Sequence, residues 1–229
     1  MGTVIITGAN GSLAIPSVKY LLSKYPTYTA LLTVRNENDS NTQKLQDIIT
    51  QFPSAKTEIR KLDLSSLPAT TSFASEIKAN IATGELPPLK SIICNAYTWS
   101  ITGGLVFTSD GYEMSMVVNH LAQLNIVLRL LDSFSPEGGR ITFLSSDSHY
   151  PGKSGLEKLP PAIPENLDLL VKPVPDKPGE EVARGFQRYG LSKLAVVMGM
   201  YQLNARLAKV NSPLLSSEHN VLTHCRIQR

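Results

Sequence analysis

Short apolar runs recur along the chain with longer, helix-length segments between most of them. Thr3–Thr7, Thr29–Val34, Thr57–Leu62, Ser91–Cys94 and Arg140–Leu144 read as strands. The intervening segments predict helices over about Ser12–Lys24, Thr42–Phe52, Ala69–Ala82 and Gly111–Ser133. Strands that are mostly short apolar runs separated by helices imply an α/β fold, a doubly wound parallel sheet with helices on both faces. The pattern then breaks. Asp147–Gln187 holds seven of the 15 prolines, which remove backbone donors and restrict their predecessors, so this stretch reads as a loop or lid. Helical character resumes from Tyr189 to about Ala208, where "LAVVMGM" is apolar nearly all round and calls for burial against the sheet and a second subunit. The tail at 211–229 offers one strand core, His219–His224. No repeat and no second domain is visible, so 1–229 reads as a single domain with an insertion at 147–187.

Composition narrows the classes. At 229 residues, 42% hydrophobic and 18% charged, the chain has the make-up of a soluble protein with one real core. Its net charge of +3 is scattered, and no basic block alternates with aromatics, which argues against a nucleic-acid partner. Cys94 and Cys225 make neither a disulfide framework nor a metal spacing; they read as reduced thiols, with no metal site. No apolar run reaches the ~18 residues of a transmembrane span. "MGTVIITGAN" has no basic leader, so a cytoplasmic protein is expected.

The first strand runs into "VIITGANGSLA", in which Gly8, Gly11 and Ala14 make a G-x-x-G-x-x-A spacing. Gly8 permits a tight turn off the strand, Gly11 lets backbone approach a pyrophosphate, and Ala14 lets the helix pack closely. The free N–H groups of the helix start then face the anion. The second strand ends at Arg35, where the adenosine ribose of a dinucleotide would lie. A guanidinium there suits a 2′-phosphate, so NADP(H) is favoured over NAD.

One pentapeptide pattern, Tyr-x-x-Ser-Lys, occurs twice, as "YLLSK" from Tyr20 and as "YGLSK" from Tyr189. Tyr20 and Lys24 fall at the far end of the first helix, away from the phosphate site, and read as helix surface. Around Tyr189 further motifs line up in order: "TGANGSLA", "KLDLSS", "CNAY", "NHLAQ" and "RITFLSSDSHY". With them the chain resembles the short-chain dehydrogenase/reductase family over residues 3 to about 208. "SDGYE", "VNHL" and "SSDSH" are closest in wording to its retinol dehydrogenase and carbonyl or ketosteroid reductase branches.

The resemblance implies a Rossmann-type homodimeric oxidoreductase that uses NADP(H) to reduce a ketone or aldehyde, or to oxidise a secondary alcohol. Cofactor contacts fall on Gly8, Asn10, Gly11, Leu13, Arg35, Asp63, Leu64, Asn95, Tyr189 and Lys193; Asp63 and Leu64 meet the adenine. Catalysis falls on Asn119, Ser146, Tyr189 and Lys193. Tyr189 is the proton donor, Lys193 one turn on lowers its pKa and holds the cofactor ribose, Ser146 bonds the substrate oxygen, and Asn119 holds a water. Ser145, His120 and His149 read as structural groups. Two departures stand out. Tyr97 replaces the glycine of the family's Asn-Ala-Gly, so its side chain intrudes or the loop moves. The last strands and a Pro-Gly loop of the family are not legible after the Tyr189 helix. A shortened chain leaves as alternatives a catalytically impaired protein that binds a dinucleotide or a partner, and a redox-neutral isomerase or cyclase.

Overall fold

A computed structural model describes residues 1–209 of the protein. Five strands, β1 (Thr3–Ile6), β2 (Thr29–Val34), β3 (Lys56–Lys61), β4 (Leu89–Cys94) and β5 (Arg140–Phe143), form one parallel sheet in the order β3-β2-β1-β4-β5. The chain works outward from β1 in one direction, then returns to start β4 on its other side. That reversal opens a crevice at the carboxyl ends of β1 and β4, where such sheets bind ligands.

Side chains of successive strand residues point to opposite faces, and the core divides accordingly. Val4, Ile6, Ala30, Leu32 and Val34 pack with Val18 and Leu22 of helix α1 (Ala14–Lys24) and Leu45 of α2 (Ser40–Ile49). Ile5, Leu31, Ile92 and Ile141 pack on the other face with Phe73 and Ile77 of α3 (Leu67–Thr83) and with later helices. β1 and β2 are buried along their whole length, whereas β3, "KTEIRK", is a charged edge strand.

Local chemistry sets the helix ends. Asp39 caps α2 by accepting from the Thr42 N–H at 2.7 Å, and Ser66 caps α3, which ends at Gly84 in the left-handed region. The helix expected over Gly111–Ser133 begins later, at α4 (Met114–Met116), because Glu113 caps it through the Met116 N–H at 2.6 Å. It then passes through a π-helical turn, Val117–Leu121, continues as α5 (Ala122–Arg129), and closes in a 3₁₀ turn at Leu131–Ser133. The turn's hydrogen-bond period changes around Asn119, an irregularity frequent at functional sites.

The last described helix, α6 (Glu181–Lys209), starts eight residues before Tyr189, so the segment read as a loop to Gln187 ends earlier. Behind Pro178 and Gly179, "EEVARGFQR" is free of helix breakers except Gly185. The remainder of the proline-rich segment has short 3₁₀ turns at Asp147–His149 and Leu167–Leu170 and is tied down. The Glu113 N–H donates to Val171 O at 2.7 Å, and Gln187 Nε2 to Pro160 O at 2.9 Å. Arg188 clasps Asp176 with two bonds of 2.5 and 2.9 Å, while Glu113 lies 4.0 Å from the same guanidinium. These side chains are 11%, 5% and 2% exposed respectively. Burial pushes the Glu113 carboxyl up, against the backbone and side-chain bonds it accepts and the Arg188 charge. The tail at 211–229, with its expected strand and Cys225, lies outside the described residues.

Removing one member of a buried ion cluster strands the others, at a cost of about 3–5 kcal/mol. Arg188→Ala should therefore lower unfolding stability by roughly that amount. Arg184→Ala breaks a half-exposed pair with Glu180 and should cost no more than about 1 kcal/mol. Denaturant titration of both variants checks the difference.

Candidate active site

The crevice at the end of β1 begins with the glycine turn. Gly8 has φ +61°, and a Cβ on it would lie 2.9 Å from Ala96 Cα. A Cβ on Gly11 would lie 3.2 Å from Gly8 O. Gly8 excludes a side chain by conformation and contact, whereas at Gly11 a Cβ would be a tight contact only. No side chain caps the start of α1, and the Ser12 and Leu13 N–H groups have no acceptor among the described residues. A turn without Cβ atoms that leaves donors free fits the phosphates of a dinucleotide.

From this turn a groove of about 400 Å³ runs past Arg35, Asp63 and Leu64 on one side and Asn95, Ala96 and Tyr97 on the other. Asn95 fixes its floor. The amide donates to Thr7 O and Gly8 O, both at 3.0 Å, while the Asn95 N–H bonds Thr7 Oγ1 at 3.0 Å. Asn10 lines the groove but spends its amide on Thr42 at 2.9 Å and Asp39 at 3.3 Å. Arg35 is exposed and makes no ion pair among the described residues. Asp39 also lines the groove; the Thr42 N–H, outweighing partial burial, holds its carboxyl below the usual range.

Beyond the groove, α6 brings Tyr189 and Lys193 together, 6% and 3% exposed. Two glycines make this possible. A Cβ on Gly185 would lie 2.3 Å from Ser100 O, and one on Gly190 would lie 2.6 Å from Ser148 O. Only without them can the loop after β4 and the turn after β5 close on the helix. Ser146 heads that second turn, accepting from the Ser148 N–H and donating to Asp147. Ser145 is buried, and its hydroxyl donates to Lys193 O at 3.2 Å.

Asn119 ties the loop after β4 to the helix. Its side chain takes the Thr98 N–H at 2.7 Å and donates to Thr98 O and Ser192 Oγ, both at 2.9 Å. Ser192 Oγ in turn donates to Tyr189 O at 2.7 Å.

The electrostatics of the pair are dominated by burial. Desolvation pushes the Lys193 ammonium down from 10.5 to about 8. Its Nζ donates to Leu144 O at 3.0 Å. Burial also pushes the Tyr189 phenol above its ordinary value; a hydrogen bond from Ser146 opposes this, and Tyr97 and Asp147 add to it. The depression expected from Lys193 does not appear in this state, in which burial sets the direction.

The sequence matches known proteins over most of its length. It is 30% identical to the short-chain dehydrogenase iccH of Talaromyces variabilis, over 91% of this chain and 65% of that one. The chain resembles the short-chain dehydrogenases and reductases and has their fold. An uncharacterised protein of Mycobacterium paratuberculosis superposes with a TM-score of 0.67 at 24% identity, covering 99% of this chain and 67% of the other. An NADPH-bound carbonyl reductase from chicken fatty liver superposes with 0.61 at 17%, covering 97% and 85%. No protein-family profile matches the chain. It spans 45–65% of the length of the first curated relatives it matches.

On this short-chain dehydrogenase fold, the structure gathers Gly8, Asn10, Gly11, Arg35, Asp63, Leu64 and Asn95 along one groove. Asn119, Ser146, Tyr189 and Lys193 collect beyond its end. Leu13 is 47% exposed and does not line the groove. Tyr20 is 58% exposed on α1, and Lys24 ends that helix. His149 is buried beside Ser145, and burial takes the imidazole of His120 down to about 4. Sequence reasoning missed Gly185, Gly190 and the Arg188 clasp, whose partners are distant in the chain. It also missed Trp99, 5.5 Å edge-on to Tyr189. A second, smaller and mainly apolar cavity beneath the proline-rich segment, about 270 Å³, takes no wall from Tyr189, Lys193 or Ser146.

Lys193 supplies a test of the buried pair. Its folded pKa of about 8 lies below the ~10.4 of an unfolded lysine. Between those values the unfolded chain holds more protons, so stability rises with pH; below about 8 the burial cost is constant. Relative to Lys193→Met, the wild type should gain stability between pH 8 and 10 and show no trend between pH 6 and 7. Thermal melts of both proteins across that range check it.

Proposed function

We propose that the chain is an NADP(H)-dependent oxidoreductase that reduces a ketone or aldehyde, or oxidises a secondary alcohol. The observation that carries this reading is the buried Tyr189–Lys193 pair on one face of α6, beside Ser146, at the end of a groove that opens on an uncapped glycine turn. The other Tyr-x-x-Ser-Lys, at Tyr20, has none of these neighbours.

A bound nicotinamide would supply or accept the hydride. The protein's own part is positioning and proton transfer. Ser146 Oγ holds the substrate oxygen where charge develops, and the Tyr189 hydroxyl delivers its proton to that oxygen. Lys193 sits 5.7 Å from the Tyr189 ring centroid, and its ammonium favours the phenolate that remains. Asn119 acts through Thr98 and Ser192, which place the loop after β4 against the helix. A water held at Asn119 belongs to the same proposal.

Arg35 directs the cofactor preference. It makes no ion pair among the described residues at the adenosine end of the groove, whereas Asp39 is already committed to Thr42 and Asn10. Residues 1–229 act as one dinucleotide-binding domain, working as a homodimer in the cytoplasm. The half-exposed apolar faces around Leu128 of α5 and Met198 and Tyr201 of α6 support a dimer, and the free buried thiol of Cys94 suits a reducing compartment. Among the described residues no helix is long and apolar enough to cross a membrane. Tyr97, standing against Tyr189 and Lys193, favours one second reading: a protein that binds a dinucleotide without turnover.

Fluorescence titration with NADPH and NADH, followed by assay against a carbonyl panel, separates the readings. NADPH should bind about tenfold or more tightly than NADH, with turnover. Arg35→Asp should erase or reverse that ratio. Equal binding of both dinucleotides to the wild type makes Arg35 plain surface, and binding without turnover selects the second reading.

A further inference from the structure

Tyr97 stands where the groove meets the catalytic pair. Its ring lines the groove together with Gly8, Gly11 and Arg35. The same ring lies 5.4 Å from Lys193 Nζ and 6.3 Å, centroid to centroid, from Tyr189. A dinucleotide seated on the glycine turn has to pass through this interval to bring its reacting ring to Tyr189.

The backbone on either side of Tyr97 has little freedom to move away. Ala96 donates to Thr7 Oγ1 at 3.1 Å and accepts from Gln123 at 3.1 Å. Asn119 holds both the N–H and the carbonyl of Thr98. Packing of Ala96 against Gly8 prevents the loop from sinking. The loop therefore stays, and only the side chain can turn. Tyr97 is 56% exposed, so the ring has open solvent to turn into.

We propose that Tyr97 is a specificity-determining gate on the nicotinamide half of the site. Its ring covers Lys193 and closes Tyr189 off from the groove, and the whole dinucleotide enters only when the ring turns out and gives up its cation–π contact. The adenosine half, held between Arg35 and Leu64, binds without moving it. The gate rests on the dinucleotide reading above and adds to it that the two halves of the cofactor respond differently to one side chain. Trp99, the chain's only tryptophan, packs edge-on against Tyr189 and reports on the gate by its emission.

The test compares wild type, Tyr97→Ala and Tyr97→Phe by calorimetric titration with 2′,5′-ADP, the adenosine half alone, and with NADPH. All three proteins should bind 2′,5′-ADP equally within about twofold, which also shows that the variants are folded. Tyr97→Ala should bind NADPH about tenfold more tightly than wild type, the order of size of a partly desolvated cation–π contact no longer broken. Tyr97→Phe should follow wild type, because the ring and not the hydroxyl closes the gate. Trp99 emission should change with NADPH and stay constant with 2′,5′-ADP. Equal or weaker NADPH binding by Tyr97→Ala, with 2′,5′-ADP binding intact, overturns the gate alone. Failure of every protein to bind 2′,5′-ADP removes the dinucleotide site and the gate with it.

Discussion

A buried run of hydrogen bonds joins the glycine turn after β1 to the helix that carries Tyr189 and Lys193. Asn95 binds the carbonyls of Thr7 and Gly8, and the Thr7 hydroxyl receives the N–H groups of Asn95 and Ala96. Two residues on, Thr98 is held by Asn119, which bonds Ser192, which bonds the Tyr189 carbonyl. Each link lies in or beside the core, where an unmade bond costs the full desolvation of its group. The distance between glycine turn and Tyr189 is thereby fixed by bonds that are expensive to break, and hydride and proton chemistry need fixed distances. The π turn at Asn119 fits this arrangement, since it falls where helix and loop are joined.

Much of this frame was legible in the sequence because it is local. Five strands appeared within a residue or two, since β1 and β2 are apolar throughout and flanked by turns. The glycine spacing announced its own backbone demands at Gly8 and Gly11. The choice between the two Tyr-x-x-Ser-Lys copies needed only the knowledge of which end of α1 faces the crevice. Non-local features stayed hidden. Gly185 and Gly190 look like weak helix positions until the Ser100 and Ser148 carbonyls are seen pressed against them. Arg188 reads as one more surface charge until Asp176 and Glu113 close on it. The expected depression of the Tyr189 pKa does not appear for a similar reason: charge spacing along a helix is visible in sequence, but burial of the phenol is not.

The proline-rich segment shows how an insertion without regular structure is held. Val171 meets the Glu113 N–H, Pro160 meets Gln187, and Asp176 meets Arg188, the residue before Tyr189. Its anchors therefore stand on α6, which carries Tyr189 and Lys193, and at the cap of α4, which packs on α6. Tyr97 works from the opposite side, where the groove arrives. In the proposed gate a single ring at the end of the groove controls entry, while the clasped segment is held against α6.

The central claim is that Tyr189, and not its twin pattern at Tyr20, gives up the proton. NADPH-dependent turnover of Tyr189→Phe beside Tyr20→Phe, on a carbonyl that the wild type reduces, tests it most directly. Each change removes one hydroxyl and keeps the ring. The account predicts a fall of about 100- to 10,000-fold for Tyr189→Phe, the usual worth of a general acid, and activity near wild type for Tyr20→Phe. Turnover retained in Tyr189→Phe, or lost in Tyr20→Phe, would contradict it.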